Sequence, residues 1–422
     1  MKVAIIGTGI AGNVAAYKLR DQHDITVFEA ASYIGGHTNT VDVYEAGKKL
    51  AVDTGFIVFN DRTYPNFIQL LHEIGQSSKP SEMSFSVSSD RLEYNGSSLD
   101  ALFAQRRNLV KPRFYRMLRD IFRFNREASR MAGAGPDDRP LREFLASNNY
   151  GPAFVDEYLL PMAAAIWSAE PVRVLDMPTD FLVRFFDNHG LLQIRNRPQW
   201  YVIRGGSREY VSKLVAGHRD RIRLNSAVRS VQRSPLGVEV LSSSNEPEVF
   251  DAVFFACHSD QALQLLSEPT PVEEQVLGAI RYQANEAILH SDERLMPRSR
   301  KVWAAWNYHI PADPDQHVAV TYNMNILQGL RARHQYCVTL NNESEIRPDR
   351  IIKRFRYDHP MYTREAIAAQ ARHEDVNVDR LFFCGAYWRN GFHEDGVVSA
   401  LHAVQHFEEW QQDEKLHLRR AS

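Results

Sequence analysis

The sequence predicts an α/β protein organised around a parallel sheet, and three observations near the N-terminus point to this fold class. Residues 3–6 form a short apolar run that ends at Gly7, which is typical of a buried strand entering a tight turn. Gly7, Gly9 and Gly12 then give the pattern G-x-G-x-x-G, followed by a segment of helical composition. A second apolar strand ends directly before Glu29.

This order of strand, glycine-rich turn, helix, strand and acid is the one that a dinucleotide site requires. The first glycine makes the turn, the second lets the backbone approach a pyrophosphate, and the third lets helix and strand pack closely. The pyrophosphate would bind at the positively polarised N-terminus of the helix. Glu29 stands where a carboxylate accepts hydrogen bonds from an adenosine ribose. The alternative, a glycine-rich turn without a ligand, is disfavoured because all these features agree.

The composition is that of an ordinary globular protein. Its 422 residues are 44% hydrophobic and 24% charged, and the formal net charge of −2 predicts no general attraction to nucleic acid. Cys257, Cys337 and Cys384 lie far apart, so we expect no metal site, no disulfide framework and a reducing compartment. The sequence contains no apolar run of the roughly 20 residues that a membrane span needs, and its N-terminal run is too short for a signal peptide. We therefore expect a cytoplasmic protein.

Residues 106–130 differ from the rest of the chain in charge. Nine arginines and lysines face two acids there, which gives a local charge of +7. Six arginines recur at helical spacing and predict a helix with a positive face over an aromatic-rich opposite face. Two interpretations stay open. The face either makes peripheral contact with anionic lipid head groups at a membrane surface, or it is solvated and its arginines pair with acids elsewhere.

The remaining chain alternates strand and helix patterns without internal repeats. The expected elements are an amphipathic helix at 63–75, a linker at 131–140, and strands at 221–231, 302–308, 317–322 and 381–385. After a loop, a final helix is expected to begin at Gly396. This succession indicates that the chain leaves the first sheet and later returns to it.

Separated blocks of the sequence agree, in order, with one family. With the N-terminal fingerprint, a Gly-Gly pair, Asp53-Thr54-Gly55 and a C-terminal strand-glycine-loop-helix, the chain resembles the superfamily of flavin-containing amine oxidases and phytoene desaturases over nearly its whole length. Longer strings, among them GGHTNTVD, VDTGFIVFN and CGAYWRNGFHEDGVVSAL, are similar to a narrower group. That group is the FAD-binding oxidoreductases homologous to the N-terminal domain of plant cyclopropane-fatty-acid synthases. Bacterial polyenoic fatty acid isomerase looks like a more distant relative.

The resemblance implies a Rossmann-like (GR2-type) FAD-binding domain with a discontinuous α+β substrate domain. The FAD-binding domain would comprise residues 1–80, 196–281 and 372–415, and the substrate domain residues 81–195 and 282–371. No covalent link to the flavin is evident in the sequence, so we expect FAD to be bound non-covalently. In bacteria, proteins of this group tend to be associated with fatty-acid-modifying methyltransferases, which makes such an enzyme a candidate partner.

The resemblance also assigns FAD contacts to the residues that match the family's motifs. These are Gly7, Gly9, Ala11, Gly12, Gly36 and His37 around the pyrophosphate, Glu29 at the ribose, Thr54, Gly55, Phe56 and Ile57 beside the isoalloxazine, Val228 at the adenine, and Gly385, Ala386, Asp395, Gly396 and Val397 completing the site. The N-terminus of the last helix would stabilise negative charge on the reduced flavin.

Three positions depart from the family's pattern. His37 stands where many relatives have arginine, so one pyrophosphate contact is neutral or pH-dependent. Ala386 stands where relatives often carry an acid. The lysine that approaches flavin N5 through water in many amine oxidases has no clear counterpart, because Asn285 or Glu286 occupies its place.

The amine-binding aromatic cage of the family also has no secure match in this sequence. Phe392 would form one wall, and Tyr387 or Trp388 the other. The resemblance therefore favours an FAD-dependent oxidoreductase acting on an unsaturated or branched fatty acyl chain, which includes chains esterified in phospholipid. Desaturation or double-bond isomerisation would proceed by hydride transfer to flavin N5. The alternatives are a flavin amine oxidase and a non-catalytic FAD-binding partner of a fatty-acid-modifying methyltransferase.

Acyl-chain chemistry of this kind requires no strong acid or base. The catalytic residues are therefore not identified by the sequence. Four polar side chains are weak candidates for reaching the substrate, and for each of them a structural role is the alternative: Tyr322, Tyr387, His393 and Glu394.

Overall fold

The protein is described by a computed structural model that covers residues 1–132, 138–193, 195–311 and 319–421, with side chains up to residue 414. The strands are β1 (Lys2–Ile6), β2 (Asp24–Phe28), β3 (Thr40–Glu45), β4 (Lys48–Asp53), β5 (Val58–Asn60), β6 (Ser78–Ser81), β7 (Phe85–Ser88), β8 (Glu93–Asn95), β9 (Trp200–Ile203), β10 (Ile222–Arg223), β11 (Val228–Ser234), β12 (Gly237–Ser242), β13 (Pro247–Phe250), β14 (Ala252–Phe255), β15 (Tyr282–His290), β16 (Trp306–His309), β17 (Ala319–Asn323), β18 (Cys337–Leu340), β19 (Ile351–Pro360) and β20 (Leu381–Phe383).

Helices connect and cover these strands. They are α1 (Ile10–Leu19), α2 (Pro65–Glu73), α3 (Leu99–Leu102), α4 (Pro112–Met131), α5 (Leu141–Ser147), α6 (Pro152–Phe154), α7 (Leu160–Trp167), α8 (Pro171–Asp176), α9 (Thr179–Asn188), α10 (Arg208–Leu214), α11 (Ser259–Leu265), α12 (Pro271–Ala279), α13 (Met324–Leu327), α14 (Arg364–Gln370), α15 (His373–Val376) and α16 (His393–Ala421). Within the described ranges, none of the helices combines the length and the apolarity needed to cross a membrane.

The predicted α/β class is confirmed by a five-stranded parallel sheet in the order β10-β2-β1-β14-β20. Its central strands β1 and β14 are apolar and almost wholly buried, as expected for a parallel sheet covered on both faces. Ile6 of β1 lies opposite Phe28 of β2, so the residues that follow these strands meet at the same edge. This register brings the turn at Gly7 next to Glu29.

The prediction of one strand over residues 221–231 is wrong. The structure has only the two-residue β10 there, and β11 begins at Val228 in a separate antiparallel sheet, β11-β12-β13. The chain turns between them because Asn225 adopts a left-handed conformation with φ +52° and the Ser226 N–H donates to the Glu29 carbonyl. This turn places Val228 beside the end of β2.

A second, seven-stranded sheet has the order β19-β15-β18-β17-β16-β7-β8, antiparallel except where β16 pairs with β7. Its strands come from 81–195 and 282–371, whereas those of the parallel sheet come from 1–80, 196–281 and 372–415. The bounds of the two domains themselves stay a prediction. Helices α4, α5, α7 and α9 share with β16 and β17 a core rich in aromatic side chains.

Other expected elements agree with the structure to within a few residues. The helix at 63–75 is α2, and the basic segment contains α4. The strand expected at 302–308 begins only at Trp306, because residues 300–302 form a 3-10 turn. Two segments are described only in part: residues 133–137 of the predicted linker and residues 317–318 of the predicted strand at 317–322 lie outside the described residues.

The last helix begins at His393, three residues earlier than expected. Asp395 makes the earlier start favourable, because its Oδ2 accepts a hydrogen bond of 2.9 Å from the Phe392 N–H at the helix N-terminus. Gly396 therefore lies inside the first turn. A Cβ built on Gly396 would approach Ile10 Cγ2 to 2.5 Å, so this glycine allows α16 to pack on α1.

Candidate active site

A cavity of about 620 Å³ extends from the carboxyl edge of the parallel sheet to the seven-stranded sheet. The sequence-predicted cofactor residues that line it are Gly7, Gly9, Ala11, Glu29, Gly36, His37, Thr54, Gly55, Phe56, Ile57, Val228, Gly385 and Ala386. Four other sequence-predicted cofactor residues do not line it: Gly12, Asp395, Gly396 and Val397. The fold thus brings residues from both halves of the chain to one cavity.

Three glycines shape the part of the cavity at the N-terminus of α1. A Cβ built on Gly12 would lie 2.0 Å from the Gly7 carbonyl oxygen, so Gly12 is the position that lets α1 pack on the turn. A Cβ on Gly9 would meet no atom within 4 Å, and Gly9 caps α1 without a side-chain hydrogen bond. Open space beside a helix N-terminus is what a pyrophosphate needs. The residues present therefore fit the phosphates of a dinucleotide such as FAD.

Gly36 brings a second loop against the first. It adopts φ +58°, and a Cβ there would approach Gly9 Cα to 3.2 Å. The following residues join the loop to the end of β4, where the Thr54 N–H donates to the Asn39 carbonyl at 2.9 Å and the Phe56 N–H donates to the His37 carbonyl at 2.8 Å. These backbone bonds hold residues 54–57 against the cavity as one rigid wall.

Glu29 closes the adenosine side of the cavity. Its Oε2 accepts from the Thr8 N–H at 2.9 Å and from the Thr8 hydroxyl, and its Oε1 accepts from the Ala31 N–H at 2.7 Å. A carboxylate has about four acceptor positions and three are used here, so one position is left for a ribose hydroxyl. Val228 lines the same region together with Ser226. The arrangement fits the adenosine half of FAD.

Three histidine rings converge where the cavity meets the second sheet. The ring centroid of His37 lies 5.6 Å from that of His359 and 6.3 Å from that of His258. Burial is the main cause that lowers the pKa of all three, and for His359 it lowers the pKa to about 4. The neighbouring histidines lower the pKa of His37 further. At neutral pH His37 therefore offers hydrogen bonds and no charge.

His393 lines the cavity but is held by its neighbours. Its Nε2 lies 2.6 Å from the Tyr210 hydroxyl, and its ring stacks on Phe56 with centroids 3.5 Å apart. Burial lowers its pKa to about 3, so the imidazole is neutral at physiological pH. His393 therefore supports the Phe56 ring by packing behind it.

Glu394 lies outside the cavity lining and is bound to another helix. Its Oε1 accepts from the Asn66 N–H at 3.0 Å, and its Oε2 accepts from the Phe67 N–H at 2.9 Å. These are N–H groups of the first turn of α2, which lack partners within that helix. Glu394 thus caps α2 from a distance, and this contact accounts for its burial.

Seven aromatic side chains line the other part of the cavity, which we call the aromatic end. They are Tyr64, Trp167, Trp306, Tyr322, Tyr357, Tyr362 and Phe392. Ile166 and Leu340 add aliphatic surface. Among the described residues, no lysine or arginine lines any part of the cavity, and the acids that do are Glu29 and Asp358. Asp358 already accepts a hydrogen bond of 3.0 Å from Arg356 Nε.

Five of the seven aromatic residues were missed by sequence reasoning: Tyr64, Trp167, Trp306, Tyr357 and Tyr362. Three of these five carry polar atoms without partners among the described residues. Within the described part of the chain, Trp167 Nε1, Trp306 Nε1 and the Tyr362 hydroxyl are buried without a hydrogen-bond partner. The three residues stand on separate segments, so the sequence carried no local signal for them. The predicted cage partner Trp388 does not line the cavity, because it stacks on His373 at 4.0 Å instead.

Tyr322 and Tyr387, two other candidates, do line the cavity. Burial raises the pKa of both hydroxyls above the ordinary value, so neither is an effective base near neutral pH. Tyr322 packs edge-on against Trp306 with centroids 5.0 Å apart. Both residues serve this cavity chiefly as aromatic surface.

The place of the family's lysine carries no substitute cation. Asn285 is buried. Its Oδ1 accepts a hydrogen bond of 2.7 Å from Asn341 Nδ2, and its Nδ2 lies 3.2 Å from His359 Nδ1. Glu286, the next residue, is exposed. Neither residue lines the cavity.

This chain shares sequence with a known protein family and with known proteins. The family described as flavin containing amine oxidoreductase matches residues 10–316. A putative flavin-containing monoamine oxidase, AofH, of Mycobacterium tuberculosis is 25% identical over 291 residues. The alignment covers 65% of this chain and 61% of the relative, so the chain matches less than two thirds of that protein's length.

Solved structures share the fold at low sequence identity. Cyclohexylamine oxidase from Brevibacterium oxydans is 16% identical, with a TM-score of 0.70 and coverage of 97% of this chain and 99% of that one. A CLA-producing fatty acid isomerase from P. acnes is 14% identical, with a TM-score of 0.69 and coverage of 96% of this chain and 98% of that one. A putative protoporphyrinogen oxidase from Exiguobacterium is 16% identical, with a TM-score of 0.68 and coverage of 97% and 99%.

Proposed function

Because the chain belongs to the family of flavin-containing amine oxidoreductases, with FAD as its cofactor, we propose that it acts on an unsaturated or branched fatty acyl chain. The observation that carries this proposal is the aromatic end of the cavity. Its described lining is mainly aromatic and aliphatic, and the polar atoms there are uncharged hydroxyl and indole N–H groups. The cavity presents neither a cation nor an unpaired acid beside the substrate. The preferred substrate segment is therefore uncharged and apolar.

Charge is the physical reason for preferring an acyl chain over an amine. A buried charge without a partner is strongly unfavourable, so an ammonium ion entering the aromatic end would have to lose its proton or rely on ring faces alone. A free carboxylate at that depth would lack an arginine partner. A hydrocarbon segment, by contrast, gains roughly 0.8 kcal/mol for each CH2 group transferred from water. The aromatic end suits the middle of a long chain.

The protein's own contribution is binding, orientation and exclusion of water. The residues at the α1 end of the cavity would hold FAD, which when bound would supply the hydride acceptor. The wall formed by residues 54–57 and backed by His393 fixes one side of the cavity, while Trp306, Tyr322 and Tyr362 restrict the positions open to the substrate. No described side chain in the aromatic end is arranged as a strong base, which agrees with chemistry that breaks a C–H bond beside a double bond.

Desaturation and double-bond isomerisation are both compatible with this arrangement. In isomerisation the hydride would return to another carbon of the same chain, so no external oxidant is needed. In desaturation the chain would also lose a proton to water, and the electron pair would pass on to an external oxidant such as dioxygen. The likeness in fold to a fatty acid isomerase supports the proposal only weakly, because amine oxidases share the fold equally. A methyltransferase partner stays a prediction.

Amine oxidation is the second candidate. It is favoured by the family match over residues 10–316 and by the aromatic side chains of Tyr362 and Phe392 in the same cavity. Such rings can accept a neutral amine or attract a cation through their faces. A small hydrophobic amine would fit this cavity better than a polyamine, because a second ammonium group would find no acid partner.

The deciding experiment presents both substrate classes to the same holoenzyme. The purified protein is mixed without oxygen with dioleoylphosphatidylglycerol in detergent micelles, and separately with cyclohexylamine and with putrescine. We expect the lipid alone to bleach the oxidised flavin or to yield a new double-bond isomer by mass spectrometry. Bleaching by an amine with an unchanged lipid profile would overturn the proposal in favour of amine oxidation. No change with any of them would overturn both.

A matched pair of variants makes the charge argument testable. Ile166→Glu places a carboxylate in the aromatic end, and Ile166→Met keeps it apolar at similar volume. We expect Ile166→Glu to lose at least tenfold in lipid turnover per bound FAD, whereas Ile166→Met keeps it within about threefold. Equal turnover by the two variants would show that the lipid does not occupy the aromatic end.

A further inference from the structure

We propose that α4 and the turn before it form a docking surface for an anionic phospholipid bilayer. The surface comprises α3, the 3-10 turn at 106–110 and α4, and we call it the basic platform. The inference stands on the composition and exposure of this surface, and it does not require that the substrate be a lipid.

Exposed hydrophobic side chains are concentrated on the basic platform. The described residues include 13 large hydrophobic side chains that are exposed, and five of them lie between residues 99 and 122. They are Leu99 (76% exposed), Leu109 (46%), Val110 (82%), Tyr115 (47%) and Phe122 (57%). Single exposed hydrophobics are ordinary on a protein surface, but a cluster of them marks an interaction site.

The prediction that α4 has a positive face and an aromatic-rich opposite face is confirmed only in part. Phe114, Met117 and Phe124 point into the protein and are buried, as an inward aromatic face requires. Tyr115 and Phe122 instead lie exposed on the face that carries the arginines. Because they are seven residues apart, they share that face two turns from each other.

The positive charges of the basic platform are only partly paired. Arg113 forms an ion pair with Glu157 at 2.9 Å, and Arg119 and Arg123 approach Asp120 at 3.5 and 3.6 Å. Among the described residues, no ion pair involves any of four exposed cations: Lys111, Arg116, Arg126 and Arg130. The interpretation of a solvated face with paired arginines therefore holds for one part of the helix and fails for the rest.

Unpaired cations beside exposed aliphatic and aromatic side chains match the chemistry of an anionic bilayer surface. Phosphate head groups attract the arginines, and the apolar side chains enter the boundary between head groups and acyl chains. The 20 residues of α4 give a face about 30 Å long, which spans several lipid head groups. A nucleic acid would use the cations but would leave Leu109, Val110 and Phe122 without apolar partners.

Vesicle binding tests the proposal directly. The holoenzyme is centrifuged with vesicles of phosphatidylcholine, with and without phosphatidylglycerol, at low and physiological salt. We expect binding only with phosphatidylglycerol and weaker binding at the higher salt. Equal binding to both vesicle types, or binding to neither, would overturn the proposal. Tighter binding to a DNA duplex than to the anionic vesicles would also overturn it.

Matched variants separate the basic platform from general surface charge. Arg116→Glu/Arg126→Glu should weaken binding to anionic vesicles at least tenfold, while Arg219→Glu/Arg331→Glu, an equal charge change at exposed arginines elsewhere, should leave it within about twofold. Phe122→Ser should weaken binding severalfold, and Leu236→Ser, at a side chain 82% exposed in another region, should not. Equal losses in a variant and its control would contradict the assignment.

The outcome is distinguishable from that of the proposed function. Turnover of the lipid dispersed in detergent micelles does not require a bilayer, so the platform variants should keep it within about twofold. If the vesicle test fails while micellar turnover persists, the docking proposal alone is lost. If the vesicle test succeeds without turnover of any lipid, the substrate assignment alone is lost.

Discussion

The two ends of the cavity are built on different principles. At the α1 end, contacts come mainly from backbone, and what matters at Gly7, Gly9 and Gly36 is the absence of a side chain. At the aromatic end, contacts come from large side chains carried by α7, β16, β17, β19 and the loop before α16. The first end offers N–H groups and space that fit a fixed cofactor, and we propose that the second selects a substrate through shape and the lack of charge.

This difference explains why the cofactor is read from the sequence more easily than the substrate. A glycine at a fixed spacing is visible in one short stretch, because only glycine leaves the required space. An aromatic wall uses residues that are common in any core, and their shared cavity exists only after the chain has folded. Predictions at the two ends therefore test different parts of the molecule.

Two glycine variants give the largest expected effects. Gly12→Ala should prevent correct folding, because its Cβ would lie 2.0 Å from the Gly7 carbonyl oxygen, a backbone atom, so α1 and the turn would have to separate. Gly9→Ala should fold, since the residue has an ordinary φ of −63° and a Cβ there meets no atom within 4 Å. The added methyl group should still obstruct the pyrophosphate and weaken FAD binding at least tenfold.

The measurements for this pair are the flavin content after purification and the Tm of the apoprotein. We expect Gly9→Ala to lack flavin and to keep the Tm of the wild-type apoprotein, and Gly12→Ala to yield little soluble protein. A flavin-replete Gly9→Ala protein would contradict the view that the pyrophosphate lies beside Gly9.

An intermediate effect is expected from acidification, which acts mainly on buried histidines. Burial lowers the pKa of His37, His189, His218, His290, His359, His373 and His393. As the pH falls from about 6.5 towards 4, the unfolded chain binds protons at these positions that the folded chain does not, so the free energy of unfolding decreases.

Two buried acids oppose this trend. Burial raises the pKa of Asp53 and Asp395 to about 6, so the folded protein takes up protons there before the unfolded chain does. Because the histidines outnumber the acids, we expect the Tm of the apoprotein to fall by several degrees between pH 7 and pH 5. A Tm that rises over this interval would show that the acids dominate.

The smallest effect is expected from Glu394→Gln, which tests whether Glu394 supports the fold or acts on the substrate in the cavity. Glu394→Gln keeps the shape but weakens acceptance from the Asn66 and Phe67 N–H groups, and we expect a loss of about 1 to 2 kcal/mol in the free energy of unfolding. The rate of flavin reduction per bound FAD should change by less than about threefold. A reduction rate lowered by two orders of magnitude would instead identify Glu394 as a catalytic group.

Tyr322→Phe serves as the control at the aromatic end for this comparison. It removes a hydroxyl from a side chain that lines the cavity, and it leaves the ring packed against Trp306. Its reduction rate reports on the cavity, whereas that of Glu394→Gln reports on the support of α2.

Much of the fold followed from the sequence because its signals are local. The apolar run at 3–6 and the glycine spacing predicted the parallel sheet and its first turn. Helical periodicity predicted α2 and α4. The start of α16 was misplaced by three residues because Asp395 caps the helix from within the first turn. The strand expected at 221–231 failed because Asn225 turns the chain.

What the sequence by itself determined is the glycine turn that leads from β1 into α1, because a Cβ at Gly7 or Gly12 would lie within 3 Å of a backbone carbonyl oxygen. Only the tertiary structure decided that Glu394 caps α2, that Trp388 packs away from the cavity, and that Tyr362 and Trp306 line it. It also decided that Phe122 stands exposed among arginines. The physical reason is that burial and partnership belong to the packing of distant segments, which no local pattern encodes.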